Sequence, residues 1–301
     1  MLGDYRDVKT CLIEALDECG FPPAFRRVIE MPLSQCGKAL SGVADPRWPQ
    51  LVLASCIASG GDVQIGARVA AAVEVFLAGA DVLDDIQDGD PSSLIDTVGM
   101  PQALNAAAAL LVLAHGILDR LDAHGVPPHR VPSFTRTLSE SALRAAAGQH
   151  LDLIAEGNCG IGTVDAFEIA RAKAGALGGM ASRLGALVGT DDPHLLELYE
   201  ALGTHVGTIA QINNDLRDSQ FADLKTDVVR KKRTLPLVYA TDRPNETPPP
   251  TGGDDAPRPI DAETRAFIDV VITTEYYRAR TIIDALSDQG QNVAPLVELL
   301  G

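Results

Sequence analysis

The stretch Val73-Glu74-Val75-Phe76-Leu77-Ala78-Gly79-Ala80-Asp81-Val82-Leu83-Asp84-Asp85-Ile86-Gln87-Asp88 carries an apolar run through Val73, Val75, Phe76 and Leu77 into four aspartates. On an α-helix at about 100° per residue, Asp81, Asp84, Asp85 and Asp88 fall within an arc of roughly 100°, one stripe on one face. Four like charges in a stripe repel one another, and at the end of an apolar helix that repulsion is costly unless cations neutralise it. Oxygen-only ligands select a hard ion, which makes magnesium the natural candidate. Taken alone, the cluster also reads as a solvated acidic helix end running into the Gly89-Asp90-Pro91 turn.

The same helical period recurs from the N-terminus to about residue 240. It is broken at Gly20 to Pro23, Gly60-Gly61-Asp62, Gly89-Asp90-Pro91, Gly125 to Pro128, Gly157 to Gly162 and Gly189 to Pro193. No alternating strand pattern stands out. Hydrophobic residues make up 46% of the 301, with aromatics only 4%, a composition that suits closely packed helices better than aromatic-rich strands. The expectation is an all-α chain forming one helical domain over residues 1–301. Residues 241–259, with six prolines beside Gly252 and Gly253, read as a flexible surface loop within it. Helical spacing resumes from Asp261 to Ser287, so the loop interrupts the bundle and does not divide two cores.

A net charge of −16 argues against nucleic acid and anionic membrane surfaces as partners, because both require a basic face. Cys11, Cys19, Cys36, Cys56 and Cys159 are odd in number and lack zinc-site spacing, and read as reduced, mostly buried thiols. The first twenty residues are amphipathic and unlike a secretory signal, which points to a cytoplasmic protein. The most apolar stretch, about Ala103 to Leu118, contains Asn105 and His115 and falls short of the ~20 residues of a membrane span. It is expected to be a buried core helix, with no transmembrane segment in the chain.

A second cluster, Gln211-Ile212-Asn213-Asn214-Asp215-Leu216-Arg217-Asp218, again follows an apolar helical run and sets Asn214, Asp215 and Asp218 on one face. Soon after comes Asp227-Val228-Val229-Arg230-Lys231-Lys232-Arg233-Thr234-Leu235-Pro236-Leu237, four consecutive cations before an apolar helix start. In so acidic a chain that run is anomalous, although a solvated basic turn is its plain alternative. Two acidic stripes able to hold magnesium and a basic run able to grip phosphate oxygens together make a diphosphate clamp.

These residues resemble the trans-type isoprenyl diphosphate synthases, the polyprenyl synthetase family of class I isoprenoid synthases, from about residue 45 to residue 290. Five elements occur in the family's order: Asp84 to Asp88; Gly148-Gln149 with Asp152; Lys173 with Gly175; Gln211 to Asp218; and Asp227, Lys232 and Thr234-Leu235-Pro236-Leu237. The resemblance implies a bundle of long helices around a deep central cavity, the isoprenoid synthase fold, in a homodimer. It implies three Mg2+ ions, with Asp84, Asp85 and Asp88 on one side and Asn214, Asp215 and Asp218 on the other as ligands. Lys173, Lys232, Lys231 and Arg233 would contact the diphosphate of an allylic prenyl substrate, and Gln149 would lie near the departing group. No protein nucleophile is needed.

The sequence departs from that pattern where the family grips a second, homoallylic diphosphate. Its Gly-Lys-Arg element is reduced to Gly37-Lys38-Ala39, Trp48-Pro49 stands where Arg-Pro is expected, and Gly89 to Asp96 contains no arginine. Asp81 and Leu104-Asn105-Ala106-Ala107 resemble a divergent branch that includes bacterial transferases prenylating a pheromone peptide. Asn214, in place of an aspartate, resembles the third metal site of terpene cyclases and supplies an oxygen without charge. Gly79 and Ala80 either leave room for a C15 or C20 chain or mark a helix crossing. His115, His150, His194 and His205 share no ligand spacing and read as structural. Tyr276, Tyr277 and Arg278 suit either site closure or core packing. The leading expectation is a Mg2+-dependent prenyltransferase that ionises an allylic prenyl diphosphate. A terpene synthase or cyclase acting on a C15–C20 diphosphate is the alternative, and a non-catalytic regulatory subunit of a prenyl synthase a third.

Overall fold

Local chemistry sets both ends of the central helix. Asp62 accepts hydrogen bonds from the backbone N–H of Gln64 at 2.7 Å and Ile65 at 3.3 Å, satisfying donors that a helix start leaves open. Gly89 closes the helix at φ +61°, a left-handed conformation that glycine adopts without a Cβ clash. A computed structural model of the protein describes residues 5–41, 47–158, 160–220, 232–241 and 260–300. Lys231, the other residues of the basic run before Lys232, Cys159 and residues 242–259 of the expected loop lie outside the described residues.

Among the described residues every regular element is helical, as the composition predicts. In chain order these are α1 (Tyr5–Glu18), α2 (Pro23–Leu33), α3 (Arg47–Ala58), α4 (Val63–Asp88), α5 (Ser93–Val98), α6 (Met100–Asp119), a 3-10 turn (Leu121–His124), α7 (Val131–Ala155) and α8 (Thr163–Ala170). A π-helical turn (Arg171–Gly175) follows, then α9 (Ala176–Gly189), α10 (Pro193–Gln220), α11 (Leu235–Thr241), α12 (Ala262–Asp288) and α13 (Ala294–Leu300). The chain gathers into two compact units. The first comprises Met1–Glu140, Met180–Glu200 and Ile282–Gly301, and the second Ser141–Gly179 and Ala201–Thr281.

In the first unit α4 is the core. Ala67, Val69, Ala70, Ala71, Ala72, Val73 and Val75 are all fully buried, each large side chain contributing about 1.5–3 kcal/mol. Helix α6 crosses α4 at Gly79, where an added Cβ would lie 3.0 Å from Leu110 Cβ and 3.1 Å from the Ala107 carbonyl. The helix-crossing reading of Gly79 therefore holds. Helix α6 departs from the expected buried core helix. Ala103, Ala106, Ala107 and Leu110 are buried against α4, whereas Met100, Leu104 and Val112 are exposed. Hydropathy alone cannot distinguish such a helix from a buried one, since its outer face is apolar too. Helices α4 and α6 are both long and apolar enough to cross a membrane by length and composition, and the apolar window of α4 is 72% buried inside the structure.

In the second unit the chain packs backbone to backbone. A Cβ at Gly178 would lie 2.2 Å from the Gly203 carbonyl oxygen, and one at Gly207 2.3 Å from the Ala174 carbonyl oxygen. A Cβ at Gly148 would lie 2.5 Å from the Lys173 nitrogen. Gly148 and Gly207 seat the π-helical turn between α7 and α10, and Gly178 lets α9 lie against α10. A separate cluster of Ala166, Ile212, Leu216, Leu235, Val238 and Ile268 joins α8, α10, α11 and α12. Gly178→Ala is expected to destabilise the protein by about 1–3 kcal/mol through overpacking against backbone. Gly116→Ala, whose new Cβ meets only the end of Arg120 at 3.7 Å, should be neutral or slightly stabilising. Urea unfolding of the two variants checks the contrast.

Candidate active site

In the first unit, the C-terminal end of α4 has two contrasting faces. Val82 is buried with Leu94, Ala103 and Ala107, and Val28, Met31, Leu83 and Ile86 pack against that cluster. The opposite face carries the aspartates: Asp88 is 2% exposed, Asp84 and Asp85 are half-buried, and Asp81 is exposed. Burial, opposed by hydrogen bonding with Ser92 and joined by the like charges of Asp81, Asp84 and Asp90, pushes the Asp85 carboxyl from an ordinary 3.8 up to about 6. The position compounds the effect, because a helix C-terminus already disfavours negative charge.

The stripe extends further toward the helix start than the spacing of the aspartates indicates. Glu74, two turns before Asp81 on the same face, is 1% exposed. Its Oε1 accepts the Ala39 backbone N–H at 2.8 Å, while its Oε2 is buried with no hydrogen-bond partner among the described residues. Burial pushes the Glu74 carboxyl up, against the opposing pull of Lys38 and the Ala39 N–H. Lys38, one residue earlier in the same loop, donates to Asp81 Oδ2 at 2.6 Å. Burial disfavours its ammonium, but Asp81 and Glu74 overcome that and hold its pKa above the usual value. The signal for Glu74 in the sequence is a lone carboxylate inside an apolar run, seven residues before Asp81.

In the second unit, α7 supplies Gln149 and Asp152, the π-helical turn Lys173, and α10 the second acidic motif. Lys173 Nζ lies 3.4 Å from Asp152 Oδ2, both side chains largely buried. Both amide atoms of Gln149 are buried without a hydrogen-bond partner among the described residues, an arrangement that costs free energy unless a ligand group satisfies them. On α10, Ile212 and Leu216 face the apolar cluster while the opposite side presents Asn214, Asp215 and Asp218. Asp215 is 8% exposed and accepts from Gln211 Nε2 at 2.8 Å. Asn214 is exposed, and its Oδ1 accepts from Arg217 Nη2. Lys232 is half-buried, and Arg233 Nη2 donates to the Ile161 carbonyl at 2.7 Å, so that Arg233 also ties down the turn before α8. His115 lies 3.0 Å from both the Leu111 carbonyl and Ser139 Oγ, and His205 lies 2.6 Å from the buried Glu275, pairings consistent with structural roles.

The donor chemistry of both motifs fits magnesium: carboxylate and amide oxygens, with Asp85 held in an environment that a cation would relieve. Among the described residues no group of three His, Cys, Asp or Glu side chains is drawn together tightly enough to hold a metal ion by itself. A hard ion here would complete its shell with water and phosphate oxygens. A polar cavity of about 290 Å3 in the first unit, lined by Asp7, Cys11, Glu14, Arg68 and His124 among others, shares no residue with either motif.

The polyprenyl synthetase family model matches residues 37–249, a span that includes both motifs. The chain belongs to the polyprenyl synthetase family. It is 30% identical over 207 residues to a geranylgeranyl diphosphate synthase of Mycobacterium tuberculosis, covering 65% of this chain and 58% of that protein. It is 24% identical over 189 residues to the tryptophan prenyltransferase ComQ of Bacillus subtilis, covering 62% and 59%. The matched span is thus under three fifths of the length of either relative. Among solved structures, the geranylgeranyl pyrophosphate synthetase of Geoglobus acetivorans superposes with a TM-score of 0.72 over 94% of this chain and 90% of that one, at 23% identity, which shows the shared fold.

The raised Asp85 carboxyl of this family member has a measurable sign. The folded state binds that proton more tightly than the unfolded one, so the contribution of Asp85 to stability falls as pH rises from about 4 to about 6 and stays low above. Asp85→Asn is expected to raise the melting temperature in EDTA above pH 6 and to match the parent near pH 4, with Mg2+ narrowing the difference. Thermal melts across that range check it.

Proposed function

We propose that the chain is a Mg2+-dependent prenyltransferase that ionises an allylic prenyl diphosphate and passes the prenyl group to an acceptor. The observation that carries the reading is the pairing, within one family-matched chain, of two acidic motifs with a lysine and an unsatisfied amide on the same unit as the second. Asp84, Asp85 and Asp88, and on the other unit Asn214, Asp215 and Asp218, would hold magnesium. Bound magnesium supplies the positive charge that a departing diphosphate requires. Lys173, beside Asp152, and Lys232 and Lys231 would supply cations for the phosphate oxygens. Gln149, whose buried amide has no hydrogen-bond partner among the described residues, would donate to the leaving group, and Arg233, which ties down the turn before α8 through Ile161, would add a further cation. The small side chain of Ala80, half-buried one turn before Asp84, agrees with a long donor chain, C15 or C20.

The full chain with Mg2+ is expected to release diphosphate from geranyl, farnesyl or geranylgeranyl diphosphate, with products identified by mass. Asp84→Ala should lower release by at least about a hundredfold, the scale set by loss of one charge-stabilising group. Near-normal release by that variant would remove the first motif from the mechanism, and absence of turnover with every donor would favour the regulatory subunit.

We further propose that the protein is a homodimer joined through α6. Met100, Leu104 and Val112 are 43%, 43% and 72% exposed on a helix whose inner face is already packed, and an apolar stripe of that kind is stabilised by a partner surface. Val112→Glu is expected to shift the protein toward a monomer in light scattering, with the helical circular dichroism unchanged.

A further inference from the structure

The fourth position of each acidic motif is Gln87 in the first and Arg217 in the second, so the second carries a cation within its own five residues and the first does not. With Asn214 as the origin on α10, Arg217 falls roughly 60° to one side, and Asp218, Gln211 and Asp215 fall at about 40°, 60° and 100° to the other. Arg217 therefore stands at the edge of the ligand stripe, next to Asn214 and away from Ile212 and Leu216, which are buried in the apolar cluster. Its Nη2 donates to Asn214 Oδ1, and its Nε lies 3.4 Å from the Asn213 carbonyl. At the other edge Gln211 Nε2 donates to Asp215 Oδ1 at 2.8 Å. Two of the three ligand side chains of this motif thus accept hydrogen bonds from their own helix. An amide oxygen has room for two donors, but a guanidinium and a divalent cation on the same oxygen repel each other at close range. Asn214 brings no negative charge to offset that repulsion, so the ion and Arg217 are alternatives there.

We propose that Arg217 exchanges partners when substrate binds: it yields the Asn214 oxygen to the ion and turns its guanidinium to the diphosphate that arrives with that ion. The inference rests on the proposed donor chemistry. Arginine presents its N–H donors in a planar fork that matches two phosphate oxygens at once, and such charge-assisted bonds are stronger than the neutral-acceptor bond to Asn214. Both Arg217 and Asn214 are exposed, so the exchange requires no repacking of the helix. Arg217 then opposes Mg2+ when the ion comes alone and reinforces it when diphosphate comes too, placing one more positive charge where the departing group gathers negative charge.

The test compares the full chain with Arg217→Gln, which removes the charge at an exposed position and is expected to leave the helical circular dichroism unchanged. Mg2+ alone is titrated and followed by thermal melts, and inorganic diphosphate is titrated at saturating Mg2+ by calorimetry. Arg217→Gln is expected to lower the half-saturating Mg2+ concentration by about threefold, because a screened like charge is gone. It is expected to weaken diphosphate binding by about tenfold, because a charge-assisted fork is gone as well. The opposite signs separate this role from plain support of the helix, whose loss would weaken both. Any result in which the two quantities do not move in these opposite directions, including no change in either, overturns the inference and leaves the donor chemistry intact. Absence of Mg2+-dependent diphosphate binding by the parent overturns the donor reading, and this inference with it.

Discussion

The acidic stripe on α4 is the constraint around which the first unit is arranged. A helix that buries Val69 to Val75 completely cannot also carry Glu74, Asp81, Asp84, Asp85 and Asp88 on one face without an answer to their repulsion. Two features answer it structurally. The apolar cluster of Val82, Leu94, Ala103 and Ala107 holds the far side of the helix end in place, and the Lys38 loop lies along the stripe with one side-chain and one backbone contact. What these leave uncompensated shows in Asp85, whose carboxyl is pushed up to about 6. At the last turn the helix C-terminus adds to the unfavourable potential.

The second unit meets a different requirement. Lys173 must be brought near Asp152 in a region of closely packed helices, and a side chain at Gly148, Gly178 or Gly207 would keep the segments apart by colliding with backbone. Backbone can move less readily than a side-chain end, which makes these positions restrictive. The π-helical turn from Arg171 to Gly175 adds a residue's width to the helix at the point where Lys173 projects. The result is a lysine largely excluded from water with its Nζ 3.4 Å from Asp152 Oδ2.

The fold class was legible because helical period and helix breakers are local. Asp62 and Gly89 mark the ends of α4 in the sequence as plainly as in the structure. The aspartates of the first motif were legible for the same reason, since a stripe on a helix depends only on spacing. Three features were not. The outer face of α6 mixes Leu104, Ala108 and Val112 with Gln102 and Asn105, so no clean period separates Val112 from Leu110. Gly79 carried two readings until Leu110 and Ala107 were found against it. The pairing of Lys38 with Asp81 spans 43 residues, and no spacing rule reaches so far. Long-range charge pairing is a property of the packed chain, and a lone glutamate between Val73 and Val75 is the trace it leaves in the sequence.

An acidic protein that handles an anion must separate the cations it keeps from those it lends. Side-chain cations, such as Lys38, belong to the chain and neutralise a site whether or not substrate is present. Exchangeable cations neutralise it only when present, and their ligands must tolerate their absence. The two ends of the α4 stripe differ in this way. Asp81 is paired from within the chain by Lys38, whereas the raised carboxyl of Asp85 marks the other end as a place where added positive charge would be stabilising. On the proposed reading that end is where a donor diphosphate would be favoured together with its metal.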